Sequence, residues 1–171
     1  VMDGTLGLGV GAAGRGNVIA AGADAAGTRI PGSTAYGIHA SGILSGSTVV
    51  ANAIVDNAIG MYLAGAKGLV VNGRNLLYRN AAHGIVVTGD SLSTTIQQNV
   101  IDGTMPDGTK AAYGVYLLSA TRMLLGGAGL GNAIYSANVG VCATGNLSGS
   151  VVHGNQLLNN VSGVVVVSGT G

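Results

Sequence analysis

The stretch Asn155-Gln156-Leu157-Leu158-Asn159-Asn160-Val161-Ser162-Gly163-Val164-Val165-Val166 decides how the whole chain reads. It opens on Asn-x-[Ile/Leu], passes a second Asn, and reaches a Gly followed by apolar residues two apart. The opening triplet recurs at Asn17, Asn52, Asn75, Asn99 and Asn132. The Gly recurs at Gly37, Gly60, Gly84, Gly114 and Gly140, with successive spacings up to Gly163 of 23, 24, 30, 26 and 23 residues. Two columns that keep one phase mark a repeat array.

A period of about 23 residues holds three short strands and three turns, with alternation such as Ile38/Ala40 and Val164/Val166 turning one side chain in two inward. Helix is disfavoured because each interior Gly costs roughly 1 kcal/mol and Gly recurs in every segment. Gly and Asn are expected at the sharp bends, since Gly takes positive φ freely and Asn tolerates it. Coils stacked about 4.8 Å apart superpose Asn52, Asn75, Asn99, Asn132 and Asn155, so their amides are expected to form a ladder. Asn57, Asn80, Asn138 and Asn160 form a second candidate column. The fold class is therefore all-β: a right-handed single-stranded parallel β-helix, or solenoid, of about six to seven coils, with 1–171 as one domain.

Composition narrows the partners. Of 171 residues 8% are charged and 47% hydrophobic, with 32 Gly and a formal net charge of +1, against roughly 25% charged in an average globular chain. Such a chain offers no basic patch for nucleic acid or anionic lipid. Arg122 is the last charged residue, but Gly and Asn interrupt the stretch beyond it, so no run approaches the roughly 20 apolar residues of a spanning helix. Neither nucleic-acid binding nor membrane insertion is expected. The start Val1-Met2-Asp3-Gly4 lacks the charged and apolar regions of a signal peptide, so a secreted form would be mature here. One cysteine, Cys142, cannot form an internal disulfide.

The wording Gly14-Arg15-Gly16-Asn17-Val18-Ile19, the run Gly131-Asn132-Ala133-Ile134 leading to Asn138-Val139-Gly140-Val141, and the stretch from Asn155 to Val166 carry a family likeness. The chain resembles the right-handed parallel β-helix repeat proteins of the pectate-lyase-like superfamily, and most of all their bacterial surface and secreted, adhesin-like members. The resemblance implies the fold and an extracellular or bacterial cell-surface location. It is open as to function, because that superfamily includes polysaccharide lyases and hydrolases, uronan epimerases, phage tailspikes and non-catalytic surface domains. None of its catalytic motifs is present here.

Two coils carry insertions between the Asn and Gly columns, near 22–34 and 103–110. Insertions of a solenoid gather on one face, which often binds. Stacking the coils pairs Asp56 with Arg79 as a surface ion pair and sets Asp90 between Ala66 and Ala120 with Lys67 nearby. It also sets Asp102 between Tyr78 and Tyr135. No two carboxylates fall on neighbouring coils, so a hydrolase pair or a calcium cluster is not expected. Only the inserted loops could bring Asp24, Asp102 and Asp107 together, and these three are the weak catalytic candidates. His39 is expected to face outward, His83 to sit at a turn before the Gly column, and His153 to lie just before Asn155, so the histidines do not converge. No metal or cofactor site is expected. Gly9-Val10-Gly11-Ala12-Ala13-Gly14 matches the dinucleotide fingerprint, but no helix is expected after it and no acid lies about 20 residues on.

The residue two after each repeat Gly faces out of the solenoid and reads His39, Tyr62, Val86, Tyr116, Cys142, Val165. Such an apolar outer column predicts a partner or carbohydrate face at Tyr62, Val86 and Tyr116, or a cover from the inserted loops. Neither end carries a polar capping segment, so self-association or neighbouring domains of a larger protein are expected to cover the ends. The favoured function is a non-catalytic structural or adhesive β-helix of an extracellular or cell-surface assembly, self-associating into filaments. The alternative is a carbohydrate-active or carbohydrate-binding β-helix, with polysaccharide as its partner.

Overall fold

The computed structural model describes residues 2–3, 7–20 and 36–167. Each coil gives one strand to each of three sheets, and the strands of every sheet run parallel. The first sheet stacks Met2–Asp3, Tyr36–Ile43, Ile59–Lys67, His83–Asp90, Tyr113–Thr121, Val139–Thr144 and Ser162–Val167. The second stacks Gly9–Val10, Thr48–Val50, Val70–Asn72, Thr95–Ile96, Leu124–Gly126 and Val151–His153. The third stacks Val18–Ala20, Ala53–Val55, Leu76–Tyr78, Val100–Asp102, Ala133–Tyr135 and Gln156–Leu158. A strand that returns beside its own sheet in parallel does so with a right-handed crossover, and the result is the right-handed parallel β-helix, about six turns long.

Registry turns sequence columns into core columns. Ile38, Met61, Ile85, Val115 and Val141 superpose, as do Ala40, Leu63, Val87, Leu117 and Ala143. The second sheet adds Val49, Val71, Ile96 and Leu125, and the third adds Ile54, Leu77, Ile101 and Ile134. These side chains fill the bore from three directions and are nearly all fully buried.

The Gly column has a different cause from the one its residue type suggests. Gly37, Gly60, Gly84, Gly114 and Gly140 lie within strands, and none has positive φ. A Cβ on Gly84 would lie 2.4 Å from Ile101 Cγ2 and 2.6 Å from the Gly114 carbonyl oxygen, and one on Gly114 would lie 2.3 Å from Ile134 Cγ2. Glycine is required there because the next coil's glycine carbonyl lies within 2.6–2.8 Å of where each Cβ would be, with Ile54, Leu77, Ile101 and Ile134 of the third sheet pressing from inside at Gly37, Gly60, Gly84 and Gly114.

The Asn ladder runs through the interior. Asn52 Nδ2 donates to Asn75 Oδ1 at 3.1 Å, Asn75 to Asn99 at 2.8 Å, Asn99 to Asn132 at 3.0 Å and Asn132 to Asn155 at 2.9 Å. Each amide also donates to strand carbonyls, as Asn99 does to Val71 and Gln97. The bend itself is taken by the residue before the asparagine: Ala51, Arg74 and Gln98 hold φ of 58°, 64° and 55°. So Asn is selected as a buried hydrogen-bond hub rather than for left-handed backbone. The second column is shorter. Asn57 Nδ2 donates to Asn80 Oδ1, but two coils on Ala137 occupies the equivalent place, its N–H donating to Asn160 Oδ1, while Asn138 is exposed.

Replacing an interior rung should therefore cost more than replacing an asparagine outside the ladder. Asn99→Ala is expected to leave buried groups unpaired at about 1–3 kcal/mol each, lowering the urea midpoint with little change in slope. Asn138→Ala, at an exposed position outside the ladder, is expected to cost less in the same measurement.

Candidate functional site

The outward column of the first sheet is a layer of rings. Tyr36 stacks on Tyr62 at 4.8 Å with His39 tilted against both, and His83 stacks on Tyr113 at 5.0 Å with Tyr116 tilted across them. His83 belongs to the strand itself rather than to a turn, pairing with Ile59 and Tyr113. The rings roof the smaller members of their columns: Val86 and Cys142 face outward yet are each only 4% exposed. The expected partner face at Tyr62, Val86 and Tyr116 therefore lacks Val86 as an accessible residue, and its two tyrosines are engaged with their neighbours. Burial pushes the Cys142 thiol pKa up, partly offset by a hydrogen bond with the Tyr113 side chain. Burial likewise pushes His83 below the ordinary histidine value, against a smaller opposing hydrogen bond with the Ala82 backbone. Its Nδ1 is buried without a partner.

Every carboxylate with a described environment is held by a neighbour. Asp56 accepts from Arg79 Nη2 at 2.6 Å, and because Asp56 is only 7% exposed this is a partly buried pair rather than a surface one. Asp90 pairs with Lys67 at 3.0 Å and takes both Nε and Nη2 of Arg122, which hold its pKa down to about 2. A bulge after Thr88 brings Asp90 opposite Thr121 instead of Ala120, and that shift puts Arg122 in reach. Asp107 accepts from the Thr109 hydroxyl at 2.6 Å and the Thr109 N–H at 2.9 Å, which lower its pKa. Asp102 accepts from the Thr104 N–H at 2.9 Å. Asp102 and Asp107 thus each anchor a turn of the inserted segment, while Asp24 lies outside the described residues.

The second insertion folds as a small hairpin. Thr104 and Lys110 form an antiparallel bridge, Met105 N–H donates to the Thr109 carbonyl, and Lys110 Nζ reaches the Asn159 carbonyl at 3.0 Å. The hairpin leaves the third sheet at Asp102, whose register neighbours are Tyr78 and Tyr135. A shallow furrow there is lined by Leu76, Tyr78, Val100, Asp102 and Tyr135, and a second hollow of about 310 Å³ is lined by Tyr78, Arg79, Asp102, Thr104, Met105 and Pro106. The first insertion lies outside the described residues. Column spacing alone puts Tyr78, Asp102 and Tyr135 in a row, but the hollow beside them depends on how the hairpin folds, which no periodic signal encodes.

A family model described as periplasmic copper-binding protein (NosD) matches residues 15–170. No curated protein and no solved structure matches.

Acid should weaken the fold in two separate pH windows. The unfolded chain protonates His83 more readily than the fold does, so stability should be constant above the ordinary value of 6.5 and decline as pH falls below it. The depressed Asp90 group contributes above its ordinary value of 3.8, a contribution lost as pH falls toward about 2. Thermal midpoints between neutral and acid pH should show both windows, the upper absent in His83→Phe and the lower reduced in Asp90→Asn, with the lowered Asp107 group supplying the remainder.

Proposed function

The chain belongs to the NosD family, described as periplasmic, and from that premise we propose that it is a non-catalytic β-helical shaft of the cell envelope. One observation carries the reading. Asp56, Asp90, Asp102 and Asp107 are each engaged in a turn or an ion pair, which leaves none of them poised as the free carboxylate pair that glycoside hydrolysis uses.

The family description names copper, whose protein ligands are imidazole, thiolate and thioether groups. His83 and Cys142 stand two strands apart in the first sheet with Tyr113 and Tyr116 between them. His39 packs between Tyr36 and Tyr62, and His153 ends a strand of the second sheet. Among the described residues no three His, Cys, Asp or Glu are grouped to hold a metal ion. Of the thioethers, Met61 and Met123 are buried in the bore and Met105 lines the hairpin hollow, so these described side chains do not fit a copper centre.

Incubation of the chain with polygalacturonate and with neutral polysaccharides, with and without calcium, should release no shorter or unsaturated products. Cleavage that is lost on Asp102→Ala or Asp107→Ala overturns the reading.

A further inference from the structure

We propose that the furrow on the outer face of the third sheet, where Asp102 lies between Tyr78 and Tyr135, is a binding site for a quaternary ammonium group. The site lies on the flank of the solenoid and is independent of the shaft role.

Its walls come from strands whose side chains alternate in and out. Leu77, Ile101 and Ile134 point into the bore, which turns Leu76, Tyr78, Val100, Asp102, Ala133 and Tyr135 outward. Side chains of a strand stand roughly perpendicular to its sheet. The two tyrosines are therefore walls two strand spacings apart, about 9.6 Å, with the Asp102 carboxylate on the strand between them. On the first sheet rings meet across a single strand spacing, as His83 and Tyr113 do at 5.0 Å. Here a carboxylate takes the middle place and the rings stay apart. The space they leave is a hollow of about 170 Å³, with Leu76 and Val100 among its lining.

The sign of the ligand follows from the charges. A group midway between the walls lies about 4.8 Å from each strand column, inside the roughly 6 Å within which a tyrosine ring attracts a cation over its face. Tyr78 already holds one cation: the Arg79 guanidinium carbon is 5.3 Å from its centroid, and that guanidinium is paired with Asp56 one coil earlier. Around the furrow and hairpin Asp56, Asp102 and Asp107 stand against Arg79 and Lys110, three carboxylates to two cations. Lys110 keeps its charge, but its Nζ is at the Asn159 carbonyl, one coil beyond Tyr135. Asp102 is the charged residue that lines the hollow between the rings, so that hollow favours a cation.

The lining also selects which cation. A divalent metal wants roughly six or more oxygens, and the hollow offers one carboxylate. A primary ammonium is strongly hydrated and gains nothing from Leu76 and Val100. A guanidinium pairs best through both carboxylate oxygens, and one of those on Asp102 accepts from the Thr104 N–H. A quaternary ammonium has no N–H to satisfy and a shell of methyl groups to bury, and aromatic faces are the usual means of recognising it. The adjoining hollow of about 310 Å³, lined in part by Thr104, Met105 and Pro106 of the hairpin, leaves room for whatever carries the group.

The experiment is calorimetric titration of the chain with choline, with dimethylbutanol as its uncharged isostere, and with guanidinium. Choline should bind with a Kd of about 1 mM, and the other two at least about tenfold more weakly. Tyr78→Leu and Tyr135→Leu should each weaken choline about tenfold, whereas Tyr78→Phe keeps the ring and should keep the affinity. Asp102→Asn retains an acceptor for the Thr104 N–H and should lose about tenfold in affinity with its melting temperature unchanged. Tyr62→Leu on the first sheet should leave binding as it is. Sedimentation with phosphatidylcholine vesicles, reversed by free choline, assigns the group to a lipid headgroup; choline binding without sedimentation assigns it to a free molecule. The site is overturned if choline does not bind at about 10 mM, if the isostere or guanidinium binds as tightly, or if the leucine variants bind like the parent chain.

Discussion

The whole structure depends on one constraint: like must stack on like at the spacing of a parallel ladder. The amides Asn52, Asn75, Asn99 and Asn132, all buried, and the partly buried Asn155 enforce it through an unbroken chain of side-chain hydrogen bonds from rung to rung. An amide that slipped by one residue would lose its rung and bury unpaired groups, at a cost of about 1–3 kcal/mol for each. The glycine column enforces the same registry sterically, because a side chain there would strike the next coil's carbonyl and, at Gly37, Gly60, Gly84 and Gly114, an apolar side chain of the third sheet. Hydrogen bonding and exclusion thus fix one alignment, and the apolar columns are buried as its consequence.

Because registry is fixed from inside, the outer columns are free to vary, and what they carry is local. Asp90 with Lys67 and Arg122, and Asp56 with Arg79, staple neighbouring coils at corners. The ring layer over Val86 and Cys142 makes a thin second core on the outside of the first sheet. That layer accounts for an outward column that is apolar and yet hidden from water. In a solenoid each coil stabilises only its neighbours, so these outer contacts tune individual interfaces instead of defining the fold.

Periodicity makes the bore readable from the sequence, and it fails where the chain departs from period. The Asn and Gly columns predict the strands, the stacking of Asp102 between Tyr78 and Tyr135, and the contact of Asp56 with Arg79, all from the number of residues between coils. The bulge after Thr88 moves Asp90 by one residue and brings in Arg122, which counting alone misses. The expectation of bends at the glycine column fails for a physical cause: residue type does not distinguish a position needing positive φ from one lacking room for a Cβ. Counting also places Asn138 one residue off, because the ladder there passes to Ala137, which contributes a backbone N–H and no amide. The furrow at the third sheet escapes the sequence because it forms only where an aperiodic hairpin folds beside a periodic wall.

Aperiodicity of that kind limits where a molecule built from repeats can hold anything specific. A strictly repeating flank offers the same shallow corrugation at every coil, and a partner gains nothing by choosing one coil over another. Specificity needs a break in the repeat. Among the described residues the break on the third-sheet flank is the hairpin at Thr104 to Lys110, anchored by the Asp102 and Asp107 turns and tied to the last coil by Lys110. Those anchors are local, so the hairpin keeps its shape without help from the repeat, and the bore beneath it stays in register between Tyr78, Asp102 and Tyr135. A solenoid can thus carry one distinct surface on its flank at no cost to the columns that hold its coils together.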